Sequence, residues 1–154
     1  MNCGRWFLAL LAGVLALACH STTPARAANP FYCNGYATAA VQAFNAAKTN
    51  RCGFGGPRWH ANLNGHRTWC LIAPQPLADA ETAARNAELR PCQCEFYANQ
   101  AMVQVATAIW KKCGFHGPRW IENRPAHQNW CMTVPPGNVL FEAQQRQIAL
   151  ASCP

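Results

Sequence analysis

Arg58-Trp59-x2-Asn62-x3-His66-x2-Trp69 and Arg119-Trp120-x2-Asn123-x3-His127-x2-Trp130 place the same five side chains at the same spacing in two parts of the chain. A sugar or other polyhydroxylated ligand needs a flat apolar face ringed by directional donors and acceptors. Two indoles, a guanidinium, a carboxamide and an imidazole supply that set. On a short helix over residues 60–69, Asn62, His66 and Trp69 share one face through their i, i+4, i+7 spacing. The strip also has an architectural reading. Trp59 and Trp69 are among the few large apolar side chains in an Ala-rich stretch, so burying them would build the core, with His66 bonded to a loop carbonyl and Arg58 bridging carbonyls at a helix end.

Catalysis would need more than the strip contains. Glycoside hydrolysis uses two carboxylates, and only Glu81/Glu142 recurs, one per copy. No serine recurs, and a cysteine held in a disulfide is no nucleophile. His66 with Glu81 or Arg58 is the one combination suited to proton transfer, with nothing in the spacing to fix its geometry. No catalytic residue is assigned. Metal ligation calls for C-x2-C or H-x3-H spacing, which is absent, and no carboxylate recurs beside His66 or His127, so no metal or cofactor is assigned.

The repetition is carried by cysteine. Cys33, Cys52, Cys70 and Cys92 are separated by 18, 17 and 21 residues, and Cys94, Cys113, Cys131 and Cys153 repeat those gaps at an offset of 61. Of the 60 aligned pairs, 21 are identical, clustered around Cys52-Gly53-Phe54-x-Gly56-Pro57-Arg58-Trp59 and its counterpart Cys113 to Trp120. This implies two modules, 28–92 and 93–154, meeting at Pro91-Cys92-Gln93-Cys94. A unit of some 60 residues buries too little apolar surface to be comfortably stable alone, so four cysteines per module read as two disulfides, each adding about 2–4 kcal/mol. Three pairings per module are open. An antiparallel helix pair favours the nested one: Cys33–Cys92 and Cys52–Cys70, with Cys94–Cys153 and Cys113–Cys131.

The positioning elements follow from apolar periodicity. Tyr36, Ala37, Ala40, Val41, Phe44 and Ala47 recur at helical spacing, as do Tyr97, Ala98, Ala101, Met102, Val105 and Ala108. Each predicted helix ends at Cys52-Gly53 or Cys113-Gly114, where the glycine is expected to take the left-handed position. Second helices are expected over 77–89 and 139–150. There Glu81, Arg85 and Leu89, like Glu142, Arg146 and Leu150, form one stripe, read as a surface ion pair over an apolar anchor or as a substrate-facing pair. The fold class is all-α: a tandem pair of small disulfide-stapled helical modules with long irregular loops.

Ten cysteines in 154 residues point to an oxidising compartment. Arg5, the apolar run Trp6 to Ala18 and Ala25-Arg26-Ala27 read as a signal peptide spanning 1–27, too short in its apolar part for a transmembrane helix. Leu15-Ala16-Leu17-Ala18-Cys19 is an imperfect lipoprotein box, which makes Cys19 an alternative lipid anchor. The remainder carries eleven Lys and Arg against six acidic residues, scattered without a basic run, so no nucleic-acid surface is expected. The sequence thus reads as a secreted or periplasmic non-catalytic binding protein with a glycan or cell-envelope polymer as ligand. The alternative is a protein-interaction or enzyme-inhibitor module. The expected ligand-binding residues are Arg58, Trp59, Asn62, His66, Trp69 and their counterparts Arg119, Trp120, Asn123, His127 and Trp130.

Overall fold

The computed structural model describes residues 28–154. The expected signal peptide over 1–27 and the alternative lipid site at Cys19 lie outside the described residues. The described chain is all-α, with helices α1 (Pro30–Thr49), α2 (Leu63–Ile72), α3 (Gln75–Trp110), α4 (Arg124–Thr133) and α5 (Pro136–Ser152), plus a single 3-10 turn at Pro118–Trp120.

Local chemistry accounts for most boundaries. Asn29 caps α1 by accepting from the Tyr32 amide at 2.8 Å, and Pro30 fits the first turn, where an N–H would be unpaired in any case. Asn62 and Asn123 cap α2 and α4 in the same way, accepting from the Gly65 and Ala126 amides at 2.9 and 3.0 Å. The end of α1 is a Schellman motif: the Cys52 amide bonds the Ala47 carbonyl and the Arg51 amide bonds the Lys48 carbonyl, at 2.9 and 3.1 Å. Cys113 and Lys112 close α3 identically. The left-handed residue is Arg51 (φ +57) or Lys112 (φ +59), not the glycine expected for the role. Gly53 and Gly114, both at φ +69, make the next turn.

Two expectations are corrected. The helices expected over 77–89 and 97–109 are one helix of 36 residues, about 54 Å long at 1.5 Å per residue, and it runs through Pro91. Proline removes the bond to the Ala87 carbonyl, a cost of about 3 kcal/mol in a helix interior. Cys92 and Cys94 are tied to opposite halves on either side of this point, which holds the segment in register. Arg90 adds a second tie, donating from Nη2 to the Cys131 and Val134 carbonyls at the end of α4.

The nested disulfide pairing is also replaced. The bonds are Cys33–Cys70 and Cys52–Cys92 in the first half, and Cys94–Cys131 and Cys113–Cys153 in the second. The reason is α2. This short helix runs back along α1 and delivers Cys70 to Cys33, so the chain has already reversed when α3 begins. The first part of α3 therefore runs parallel to α1, with Asp79 accepting from the Tyr32 hydroxyl at one end and Cys92 meeting Cys52 at the other. The second half repeats this up-down-up path with the rest of α3, α4 and α5.

The cores are small. One gathers Ala28, Cys33, Tyr36, Cys70 and Ala78; another Cys94, Tyr97, Ala101 and Cys131; a third Ala47, Trp59 and Leu89. Alanine lets the helices approach closely but contributes little apolar area, and half-cystines fill the centre of the first two. Each closed loop spans 37 or 40 residues, a length for which a disulfide adds about 2–4 kcal/mol.

Candidate functional site

In the first half the loop between α1 and α2 folds over the first part of α3, leaving an open groove of about 1100 Å³. Its lining brings together Arg58, Trp59, Asn62, His66 and Trp69 from the expected strip. Tyr36, His60, Glu81, Arg85 and Glu88 complete it.

Of the strip residues, Trp59 and His66 are buried, Arg58 and Trp69 half-buried and Asn62 exposed. Trp59 is 5% exposed and packs on Phe54 at 4.5 Å between ring centroids, while its Nε1–H donates to Glu88 at 2.9 Å. His66 is 4% exposed and donates from Nε2 to the His60 carbonyl at 3.1 Å. Asn62 spends its side-chain oxygen on the α2 cap. These three hold the loop in place. Arg58 and Trp69 are half-buried and present surface to the groove, Trp69 stacking on Tyr36 at 5.4 Å. Arg58 does not bridge helix carbonyls. It grips Glu81 with two bonds of 2.7 and 3.1 Å and reaches Glu88 through Nη1. The hydrogen bond to Glu81 is the main influence raising its pKa.

The imidazoles form a pair peculiar to this half. His60 and His66 stack with centroids 3.9 Å apart. His60 accepts from the Asn62 amide at Nδ1, which leaves its proton on Nε2. Burial, foremost, pushes the His66 pKa below its ordinary value, against the raising influence of its bond to the His60 carbonyl, and the nearby Arg85 guanidinium adds to the lowering.

Arg85 is the unusual member. Only 2% exposed, it lies with its guanidinium 5.4 Å from the Tyr36 ring and donates from Nη2 to the Tyr36 hydroxyl at 3.2 Å and to Glu81 at 3.3 Å. Its buried Nε–H finds no acceptor among the described residues. Leaving such a donor unpaired costs about 1–3 kcal/mol, and Nη1 likewise makes no hydrogen bond among the described residues. The expected surface ion pair of Glu81 and Arg85 is instead an inward pair on the groove wall.

The second half builds the same frame and fills it. His127, also 4% exposed, donates to the Ile121 carbonyl at 3.0 Å; its pKa too is lowered chiefly by burial. Trp130 lies against Tyr97 at 5.4 Å and is more exposed than Trp69. Arg119 holds Glu142 with bonds of 2.7 and 2.8 Å. Arg146, wholly buried, is fully committed: Nε donates to Gln104 at 2.7 Å, Nη2 to the Ala101 carbonyl at 2.7 Å, and Nη1 to the Arg119 carbonyl, with the guanidinium 4.7 Å from the Trp120 ring. What remains open beside Arg119, His127, Trp130 and Glu142 is about 300 Å³.

Glu88, His60 and Arg85 were outside the expected set. Glu88 and His60 are opposite Ala149 and Ile121 in the second copy, so matching one copy to the other hides them. Arg85 was visible as part of the recurring Glu-Arg-Leu stripe, but its direction depends on tertiary packing. Chemically the first groove holds two arginines and two glutamates, so its formal charges cancel. It offers aromatic faces, carboxylate acceptors and an arginine with two nitrogens, Nε and Nη1, that make no hydrogen bond among the described residues. Among the described residues no group of three or more His, Cys, Asp and Glu is placed to hold a metal ion. No protein-family model, curated protein or solved structure matches the chain.

Proposed function

We propose that the protein is an exported, non-catalytic binding protein whose ligand is a glycan or cell-envelope polymer, held in the groove of the first half. The observation that carries this reading is the open groove itself, where Arg85, with no acceptor at Nε or Nη1 among the described residues, lines the wall beside Tyr36, Trp69 and the Arg58–Glu81–Glu88 cluster. A sugar ring offers a face for Trp69 and hydroxyls for the carboxylates. It also has oxygens for the buried guanidinium, and it carries no charge to upset a balanced site. Four disulfides support an oxidising location, and no helix of the described residues is long and apolar enough to cross a membrane.

The test is retention of the oxidised protein on insoluble peptidoglycan, chitin and other polysaccharides. Retention on at least one, weakened about tenfold or more by Trp69→Ala through loss of the stacking face, supports the proposal. Retention on none rejects it. A second reading, a protein-interaction or enzyme-inhibitor module, draws on the exposed Trp110, Leu140, Phe141 and Ile148 of the second half. A partner captured by the wild type and lost with Leu140→Ser/Phe141→Ser would favour it.

A further inference from the structure

The direction taken by the two buried arginines traces to one pair of aligned positions. Gln104 on α3 supplies the oxygen that accepts from Arg146 Nε. Its counterpart on α1 is Ala43, which packs beside Ala47, Trp59 and Leu89 and has no acceptor to offer. Arg146 is drawn toward α3, where it meets Gln104, the Ala101 carbonyl and the face of Trp120. Arg85, lacking that oxygen, bonds nearer the start of α1, to the Tyr36 hydroxyl, and to Glu81 on its own helix, both on the groove wall.

We propose that the residue at position 43 or 104 decides whether its half binds: alanine directs Arg85 to the groove as a donor to the oxygen of an uncharged, polyhydroxylated ligand, and glutamine locks Arg146 away from it. This rests on the binding reading above and deepens it, since it makes the first half the single ligand site. Ala43 and Gln104 are positioning residues that act through the arginine. The donor needs an oxygen acceptor, and the two Arg and two Glu side chains of the first groove leave no net charge to attract an ion. The second half keeps two arginines around one glutamate, Glu142, yet commits the buried one entirely to protein oxygens.

The experiment compares Ala43→Gln, Ala43→Met and Gln104→Ala with wild type, each first shown to be oxidised and helical. Retention on insoluble chitin and peptidoglycan is measured beside exchange of the arginine Nε–H protons with water by NMR. Glutamine and methionine have similar volume, but only glutamine can accept. Ala43→Gln is expected to slow exchange at Arg85 and weaken retention about tenfold or more, the loss of one charge-assisted hydrogen bond, while Ala43→Met leaves both near wild type. Gln104→Ala is expected to speed exchange at Arg146. Equal weakening by glutamine and methionine would make position 43 a matter of bulk and overturn the inference, as would unchanged Arg85 exchange in Ala43→Gln. Wild type retained on no polysaccharide would reject the binding function, and the exchange comparison would still decide the lock independently.

Discussion

The first half and the second half put a buried arginine at the same place on the same helical frame and treat it in opposite ways. Arg146 finds oxygens from Gln104, Ala101 and Arg119 and a face on Trp120, so it works as a polar rivet where an apolar core would otherwise be needed. Arg85 bonds through Nη2 alone, with no acceptor at Nε or Nη1 among the described residues, and lines an open groove with Glu88 and His60 added around it. A satisfied buried network gives rigidity; a partly satisfied one carries a cost that suits a site awaiting a ligand. Under the proposed function, the difference separates a half that supports from a half that binds.

The two halves should differ most in their response to loss of these arginines. Arg146→Met should lower stability by about 3 kcal/mol in urea unfolding, because it strands Gln104 and two carbonyls. Arg85→Met should cost within about 1 kcal/mol, since it removes a donor that was unpaired and Glu81 keeps Arg58. Equal losses would end the distinction. Glu88→Ala should cost about 1–2 kcal/mol by taking the acceptor of Trp59 and one partner of Arg58, in a half where Ala149 shows the frame needs no carboxylate there.

Acid should act on both halves, and more on the first. Burial holds His66 and His127 below the ordinary value of 6.5, so the unfolded chain takes up protons before the folded one does. Stability is therefore full above pH 6.5 and declines as pH falls through the window down to the folded-state values. His60→Ile, which matches Ile121 of the second half, should make that decline shallower by removing the stacked imidazole that opposes protonation of His66, and thermal melts across the window would measure it. The smallest effect is expected at the helix ends. Arg51→Gly and Lys112→Gly should each change stability by no more than about 1 kcal/mol, upward, by relieving a left-handed residue.

Much of the frame was legible because it depends on neighbours in sequence. The spacing of Tyr36, Ala40 and Ala47 located α1, and the cysteine intervals placed every bridge within its own half, whereas Asn62, expected on the face of a helix over 60–69, is the cap before α2. The pairing of those bridges was not legible, since it turns on α2 reversing the chain before α3 begins. Pro91 reads locally as a break, and only tertiary ties at Cys92, Cys94 and Arg90 keep the helix intact across it. Within the site, the recurring Trp59, Asn62 and His66 line the groove while their polar atoms also bond Glu88, the α2 amide and the His60 carbonyl. The groove's distinctive members were those that one copy has and the other lacks, and a search for shared residues passes over them.

Calorimetric titration of the wild-type protein with a soluble fragment of whichever polysaccharide retains it tests the division of labour most directly. The account predicts one site per chain, abolished by Arg85→Met and kept by Trp130→Ala. Two equivalent sites per chain, or one that survives Arg85→Met and vanishes with Trp130→Ala, would contradict it.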